Sequence, residues 1–200
     1  MSQAAVPQGA LSNPISRGAL GDRLKLPLLM IPGKAKSLLD MGCGEGHFLA
    51  AVERTHHSIR LVGVDLSDEN IRYARKILSR AKLICGDASR IDIPSSSFEV
   101  ISALELLDHV EDEDALLSEA SRLLKPQGIL VLSIPDSSML TWRLGWGLWT
   151  ATVGRRWREK HLREYNEAKI EEMLERNGFR IRSRGRAIFG CVMIFACEKI

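Results

Sequence analysis

Apolar positions along the chain fall into two alternating patterns. Short unbroken apolar runs are separated by stretches in which apolar residues return every three or four positions. The first pattern reads as strand buried on both faces, the second as amphipathic helix. Ser37-Leu38-Leu39-Asp40-Met41 is the first run and ends in glycines, and Arg60-Leu61-Val62-Gly63-Val64-Asp65 is the second. Ser67 then reads as a helix cap, with Asp68 and Glu69 in the first turn where the helix dipole favours acids. Ile71, Ala74, Ile77 and Leu78 follow at helical spacing. Lys82-Leu83-Ile84-Cys85 is a third strand, and Phe98 to Ala103 a fourth. A helix with Leu116, Leu117, Ala120, Leu123 and Leu124 on one face is expected to stop at Lys125-Pro126-Gln127-Gly128, before a fifth strand from Ile129 to Ile134. Asn166 caps a late helix bearing Ile170, Met173 and Leu174, and Asn177-Gly178 ends it. Two terminal strands are expected near Phe179–Ser183 and Cys191–Cys197.

Strands separated by helices of roughly 10–15 residues imply βαβ units, and so an α/β fold: a doubly wound, mainly parallel sheet. Such sheets bind ligands beyond the carboxyl ends of their strands, where the strand order reverses. The chemistry is therefore expected in the loops that begin at Asp40, Asp65, Asp87 and Ala103. Three of the four open with an aspartate, which packing alone does not explain, because carboxylates are seldom buried unpaired.

With 200 residues the chain suits one domain. The expected organisation is a mobile N-terminal arm over 1–21 and a single domain over 22–200, in which 136–165 forms a lid or acceptor insertion. The net charge of +3 is too small to imply nucleic acid by itself. The stretch from Ala151 to Arg186 is locally basic, with eleven Lys/Arg against six Glu. Cys43, Cys85, Cys191 and Cys197 have neither C-x-x-C pairing nor metal-ligand spacing, so no metal site is expected and a reduced, cytoplasmic setting fits. No leader is read from Met1 to about Gly21. The most apolar stretch, Met139 to Val153, carries Arg143 and is shorter than the roughly 20 residues that a membrane-spanning helix needs.

Asp40-Met41-Gly42-Cys43-Gly44-Glu45-Gly46 joins the first strand to a helix. Its pattern is D-x-G-x-G-x-G. A dinucleotide fingerprint would need a third glycine where His47 stands. An acid at the head of the loop is a poor neighbour for pyrophosphate and a good one for an ammonium group. S-adenosylmethionine has that ammonium and a sulfonium, and no phosphate. Asp65 follows Gly46 by nineteen residues, at the end of the second strand. A carboxylate there can accept from both ribose hydroxyls, or can serve as a helix-flanking cap. In Gly86-Asp87-Ala88 the acid can accept from an adenine amine, or can be a turn residue.

These pieces resemble a known family. Leu38-Leu39-Asp40-Met41-Gly42-Cys43-Gly44-Glu45-Gly46, Val62-Gly63-Val64-Asp65-Leu66-Ser67, Gly86-Asp87-Ala88, Ile93-Pro94 with Ser97-Phe98-Glu99-Val100, Leu107-Asp108-His109-Val110 and Leu123-Leu124-Lys125-Pro126-Gln127-Gly128 resemble the core of class I S-adenosylmethionine-dependent methyltransferases that act mostly on small molecules. The resemblance implies a Rossmann-like seven-stranded sheet with an antiparallel C-terminal strand, and S-adenosyl-L-methionine as cofactor. It implies that Asp40, Gly42 and Gly44, with Gly46 in the same loop, lie at the methionine part. Asp65 would hold the ribose, with Leu66 beside the adenine and Asp87 and Ala88 at its edge. Glu99 stands where the family usually has Asp.

The acceptor is less legible, because methyl transfer is an in-line displacement that depends mainly on alignment. Ser102-Ala103-Leu104-Glu105 after the fourth strand is not the Asn/Asp-Pro-Pro-Tyr run of enzymes that methylate nucleobase or glutamine amines. His109 and His161 are the candidate catalytic residues. The other readings are a positional role for His109 and a solvated polar turn at His161. His161 and Tyr165 belong to a His-x-x-x-Tyr element that resembles one placed near the acceptor in small-molecule members. Met139, Trp142, Trp146, Trp149 and Val153 recur at helical spacing, and Arg155, Arg156, Arg158 and Lys160 follow at once. This reads as a lid over an apolar acceptor, with Trp146 and Trp149 against it, or as a peripheral membrane contact through 139–160. The expected function is methyl transfer to a small or lipid-like acceptor. Two alternatives stay open: a cofactor-binding partner that regulates another methyltransferase, and an RNA or protein methyltransferase suggested by alternating Arg180, Arg182, Arg184 and Arg186.

Overall fold

Side chains alternate across a strand, so a strand that is apolar throughout must be covered on both faces. The computed structural model describes residues 23–136 and 165–200 and covers the central strands in this way. Its elements, in chain order, are β1 (Ser37–Met41), α1 (His47–Thr55), β2 (Arg60–Asp65), α2 (Asp68–Ile77), β3 (Lys82–Cys85), β4 (Phe98–Leu104), α3 (Glu113–Leu123), β5 (Leu124–Pro135), α4 (Glu167–Arg176), β6 (Phe179–Ala187) and β7 (Val192–Lys199). A 3₁₀ turn at Leu107–His109 follows β4, and a helical stretch over 23–29 precedes β1. The expected N-terminal arm, and Trp146, Trp149 and His161 in the expected lid, lie outside the described residues.

The seven strands form one sheet in the order β3-β2-β1-β4-β5-β7-β6. β1 to β5 pair in parallel, and β7 is antiparallel to both of its neighbours. The order reverses between β1 and β4, which creates the crevice at which open α/β sheets take ligands. Alternate residues of β1 feed two cores. Leu39 and Met41 join α3 and α4 through Leu116, Leu117, Ala120, Ile170 and Met173. Leu38 joins α1 and α2 through Phe48, Leu49, Val52 and Ile71.

Local chemistry sets the helix ends. Ser67 Oγ accepts from Asn70 N–H, Asp112 caps α3 through Ala115 N–H, and Asn166 caps α4 through Lys169 N–H. Gly178, at φ +79, stops α4 in a conformation that disfavours side chains. Three details differ from the sequence expectation. Leu124 is not on the α3 face: it starts β5 opposite Phe98, and the register then shifts before Val100 pairs with Ile129. The Lys125–Gly128 stretch is thus an irregularity within a strand rather than a loop before one. Ile77 is 39% exposed, so the buried face of α2 rests on Ile71 and Ala74. The terminal strands run to Ala187 and Lys199, because each completes its pairing with the other.

Gly63 sits in the middle of β2. A Cβ there would lie 2.7 Å from Leu49 Cδ1, 2.9 Å from Cys43 Sγ and 2.9 Å from Leu83 Cδ2. Gly63→Ala should therefore destabilise the fold by about 1–3 kcal/mol, as overpacking does. Chemical denaturation measures this, and an unchanged midpoint would show that the contact between α1 and β2 yields freely.

Candidate functional site

The carboxyl ends of β1, β2 and β3 each deliver an aspartate to one edge of the sheet. Asp40 on β1 lies opposite Ser102 on β4, across the reversal in strand order, and is 3% exposed. The Ser102 hydroxyl donates to Asp40 Oδ1 at 2.6 Å. Burial pushes the Asp40 carboxyl up to about 7; the Ser102 hydrogen bond opposes that rise, and the charge of Asp65 adds to it. Burial first, and then the charges of Asp40 and Asp65, also push the Cys43 thiol up, so it stays protonated and is no nucleophile near neutral pH.

Asp65 closes β2 and grips the glycine loop. Its Oδ2 accepts from Gly44 N–H at 2.8 Å, and its Oδ1 from Ser67 N–H at 2.9 Å and Asn70 Nδ2 at 3.1 Å. The neighbouring Leu66 is 50% exposed, an apolar surface at the same edge. Asp87 Oδ1 accepts from the backbone N–H and hydroxyl of Ser89, which makes it a turn residue, while Oδ2 has no protein donor among the described residues. Ala88 beside it is buried.

The three loop glycines serve different ends. A Cβ at Gly42 would meet Leu106 at 2.6 Å, one at Gly46 would meet Leu78 at 2.8 Å, and both residues hold positive φ, +69 and +81, which side chains disfavour. Gly44, at φ +53, would meet nothing within 4 Å, so it borders open space. The loop's N–H groups are largely engaged: Cys43 donates to Val64 O, Gly44 to Asp65 and Gly46 to Cys43 O. A phosphate-binding loop needs such donors turned outward. His47, where a dinucleotide fingerprint has glycine, bonds Glu45 at 3.0 Å and meets Tyr73 edge-on. A cradle of carboxylates with its amides turned inward fits a cationic, phosphate-free nucleoside such as S-adenosylmethionine.

Of the remaining candidates, His109 and Tyr165 are among the described residues. His109 is 38% exposed in the turn after β4. Tyr165 is buried in the core, and its hydroxyl donates to Glu113 Oε1 at 2.6 Å and lies 3.5 Å from the carbonyl of Leu107. In this arrangement it braces the turn that carries His109. Sequence reasoning missed Ser102, Leu106 and Asn70. Their roles depend on neighbours supplied by the fold, and only Asn70, five residues after Asp65, carried a local hint. The alternating arginines are neutralised within the molecule: Arg180 and Arg182 pair with Glu198, Arg184 with Glu167 and Glu171, and Arg186 with Asp136 and Glu167. Glu99, where Asp is usual, uses its length to accept from Lys36 N–H and Lys125 Nζ.

Asp40 gives the fold a signed pH dependence. Between its ordinary value near 4 and about 7, the folded chain holds a proton on Asp40 that the unfolded chain releases, so this residue's contribution to stability is lost as pH rises through that window. Asp40→Asn keeps an acceptor for Ser102 without the charge. The stability of the wild type relative to the variant should fall from pH 4 to pH 7 and level off above. Denaturation across that range checks this, and a flat difference would place Asp40 in contact with water.

Residues 16–184 match the model of a methyltransferase domain family. The chain is 27% identical over 151 residues to a Mycolicibacterium smegmatis protein named "Probable S-adenosylmethionine-dependent methyltransferase", covering 73% of this chain and 52% of that one. It is 31% identical over 115 residues to the ubiquinone biosynthesis O-methyltransferase of Idiomarina loihiensis, covering 55% and 46%. The chain thus spans about half the length of these curated relatives. A solved SAM-dependent methyltransferase from Thermotoga maritima superposes with a TM-score of 0.74 over 92% of this chain and 90% of its own, at 19% identity, a likeness of fold. By the extent of the family match and the fold it shares, the chain belongs to the class I S-adenosylmethionine-dependent methyltransferases.

Proposed function

We propose that this chain transfers the methyl group of S-adenosylmethionine to a small acceptor of apolar or amphipathic character. The observation that carries the reading is the set of three acid-topped strands around a loop whose amides face inward. The cofactor supplies a methyl carbon already activated by its sulfonium. The protein's part is to hold the two reactants in line, which is worth up to about 7–11 kcal/mol in ideal cases.

In this reading Asp40 faces the ammonium, and the loop at Gly42, Gly44 and Gly46 passes the methionine part. The N-terminus of α1 suits the methionine carboxylate. Asp65 accepts from the ribose, Leu66 and Ala88 flank the adenine, and Asp87 Oδ2 accepts from its amine. A carboxylate has about four acceptor positions. Asp65 uses three on Gly44, Ser67 and Asn70, so one ribose hydroxyl fits directly and a second needs Gly44 N–H to let go. In the same reading His109, in the turn after β4, takes a proton from an acceptor hydroxyl.

The acceptor class rests on two supports. Relatives of the chain carry the name ubiquinone biosynthesis O-methyltransferase. All four tryptophans lie between Trp142 and Trp157, in the expected lid. Large aromatic side chains each cover about 150–250 Å². Asp136, on the near side of that segment, ends β5 and bonds Arg186, and Tyr165, on the far side, bonds the turn after β4. The described residues on either side of that segment thus lie at the edge that holds the cofactor loops. Its cations Arg155 and Arg156 also suit anionic headgroups, should the acceptor be presented at a membrane surface.

Calorimetry should find S-adenosylmethionine binding at micromolar strength, about −8 kcal/mol, with no competition from nicotinamide dinucleotides. Affinity should rise with pH up to about 7 as Asp40 ionises, and fall again above about 8 as the ligand's own amine loses its proton. Dinucleotide binding without any response to S-adenosylmethionine would sink the reading. Replacing Trp146 and Trp149 with Ala should raise the acceptor Michaelis constant and leave cofactor affinity near wild type. The reverse pattern in kinetics would put that segment at the cofactor instead.

A further inference from the structure

We infer that Asn70 is a positioning residue for the cofactor ribose, acting through Asp65. The inference rests on the reading of Asp65 as the ribose acceptor. Asp65 stands at the open end of β2 on a side chain with two free torsions, and its carboxylate has to be aimed before it can discriminate a sugar. Three donors aim it. Gly44 N–H takes Oδ2 at 2.8 Å, and Ser67 N–H and Asn70 Nδ2 share Oδ1 at 2.9 and 3.1 Å. The first two are backbone groups. Asn70 supplies the side-chain donor, from the first turn of α2, and its own N–H is tied to Ser67 Oγ at 3.3 Å. One residue thus links the helix cap to the carboxylate: the backbone of Asn70 sets the turn, and its amide holds Oδ1.

The division of labour between the oxygens gives the arrangement its consequence. With Oδ1 filled by two donors, the acceptor position left over lies on Oδ2, beside Gly44, at the glycine whose missing side chain borders open space. Without Asn70, Oδ1 keeps only the Ser67 N–H. The carboxylate can then turn a fresh lone pair toward solvent and away from the sugar. A neutral donor is also what the site tolerates. A lysine here would cancel the charge that draws a hydroxyl, and a second carboxylate would repel Asp65 at hydrogen-bond distance.

The test compares ligands as well as variants. S-adenosylhomocysteine and its 2′-deoxy and 3′-deoxy forms are titrated into the wild type, Asn70→Ala and Asp65→Ala of the full chain. Asn70→Ala should weaken the parent ligand about tenfold, the loss expected of one hydrogen bond to a charged group. It should weaken the more sensitive deoxy form less, so that discrimination between the ligands shrinks. Should the alanine variant not fold, Asn70→Leu, of similar size and with neither donor nor charge, is read in the same way. If Asp65→Ala abolishes discrimination while the Asn70 variant weakens all three ligands equally, Asn70 only supports the helix and the inference is overturned. If Asp65→Ala itself leaves discrimination intact, the ribose assignment falls, and the inference with it.

Discussion

The hydrogen bond from Ser102 to Asp40 crosses the place where the order of the parallel strands reverses. Asp40 is buried there with no cation paired to it among the described residues, and a second acid, Asp65, raises its carboxyl further. Burying a lone carboxylate is costly, and proteins usually answer it with a partner or by neutralising the group. Here a single hydroxyl offsets part of the cost and a proton supplies the rest near neutral pH. A ligand that brings a fixed positive charge relieves this strain, and one that brings phosphate makes it worse. In the proposed site, a preference for a cationic ligand thus follows from the burial of Asp40 as much as from the shape of the loop.

Asp65 couples that charge to the loop. Because its Oδ2 holds Gly44 N–H, the loop curls toward the protein and its amides serve oxygens of the chain. The same glycine-rich composition, with the amides turned out, would make an anion nest. His47 reinforces the choice: bonded to Glu45 and against Tyr73, it fills the place where a pyrophosphate loop needs bare backbone.

The sequence made the strands and caps legible for a local reason. β1 to β4 are continuous apolar runs, and Ser67 and Asn166 stand where helices need side-chain acceptors. The acids at the strand ends were legible because a doubly wound sheet exposes that edge. What stayed hidden depends on partners far away in sequence. Ser102 reads as an ordinary strand residue until β4 lies beside β1. Leu106 explains Gly42 only through a contact that no periodicity encodes. Leu124 looked helical because it extends the apolar face of α3, yet pairing with Phe98 outweighs one more turn. The arginines of β6 alternate visibly, but their neutralising partners come from α4, β7 and the end of β5. A basic stripe in sequence became an internal ion-pair ladder in space.

The acceptor side follows a different logic from the cofactor side. The cofactor's charges and hydrogen-bonding groups are fixed, so the residues proposed to meet them can be specified one by one. An acceptor needs only to present a lone pair in line with an activated carbon, and many surfaces can do that. What the fold supplies is a frame. Arg186 clamps Asp136 at the end of β5, and Tyr165 braces the turn after β4 through Leu107 and Glu113. The described residues that flank the tryptophan-rich segment are thus held by contacts at the carboxyl ends of β4 and β5, and those contacts use neither Asp40 nor Asp65. This is why one fold can keep its cofactor while its acceptors diversify, and why the acceptor is read from composition and the cofactor from geometry.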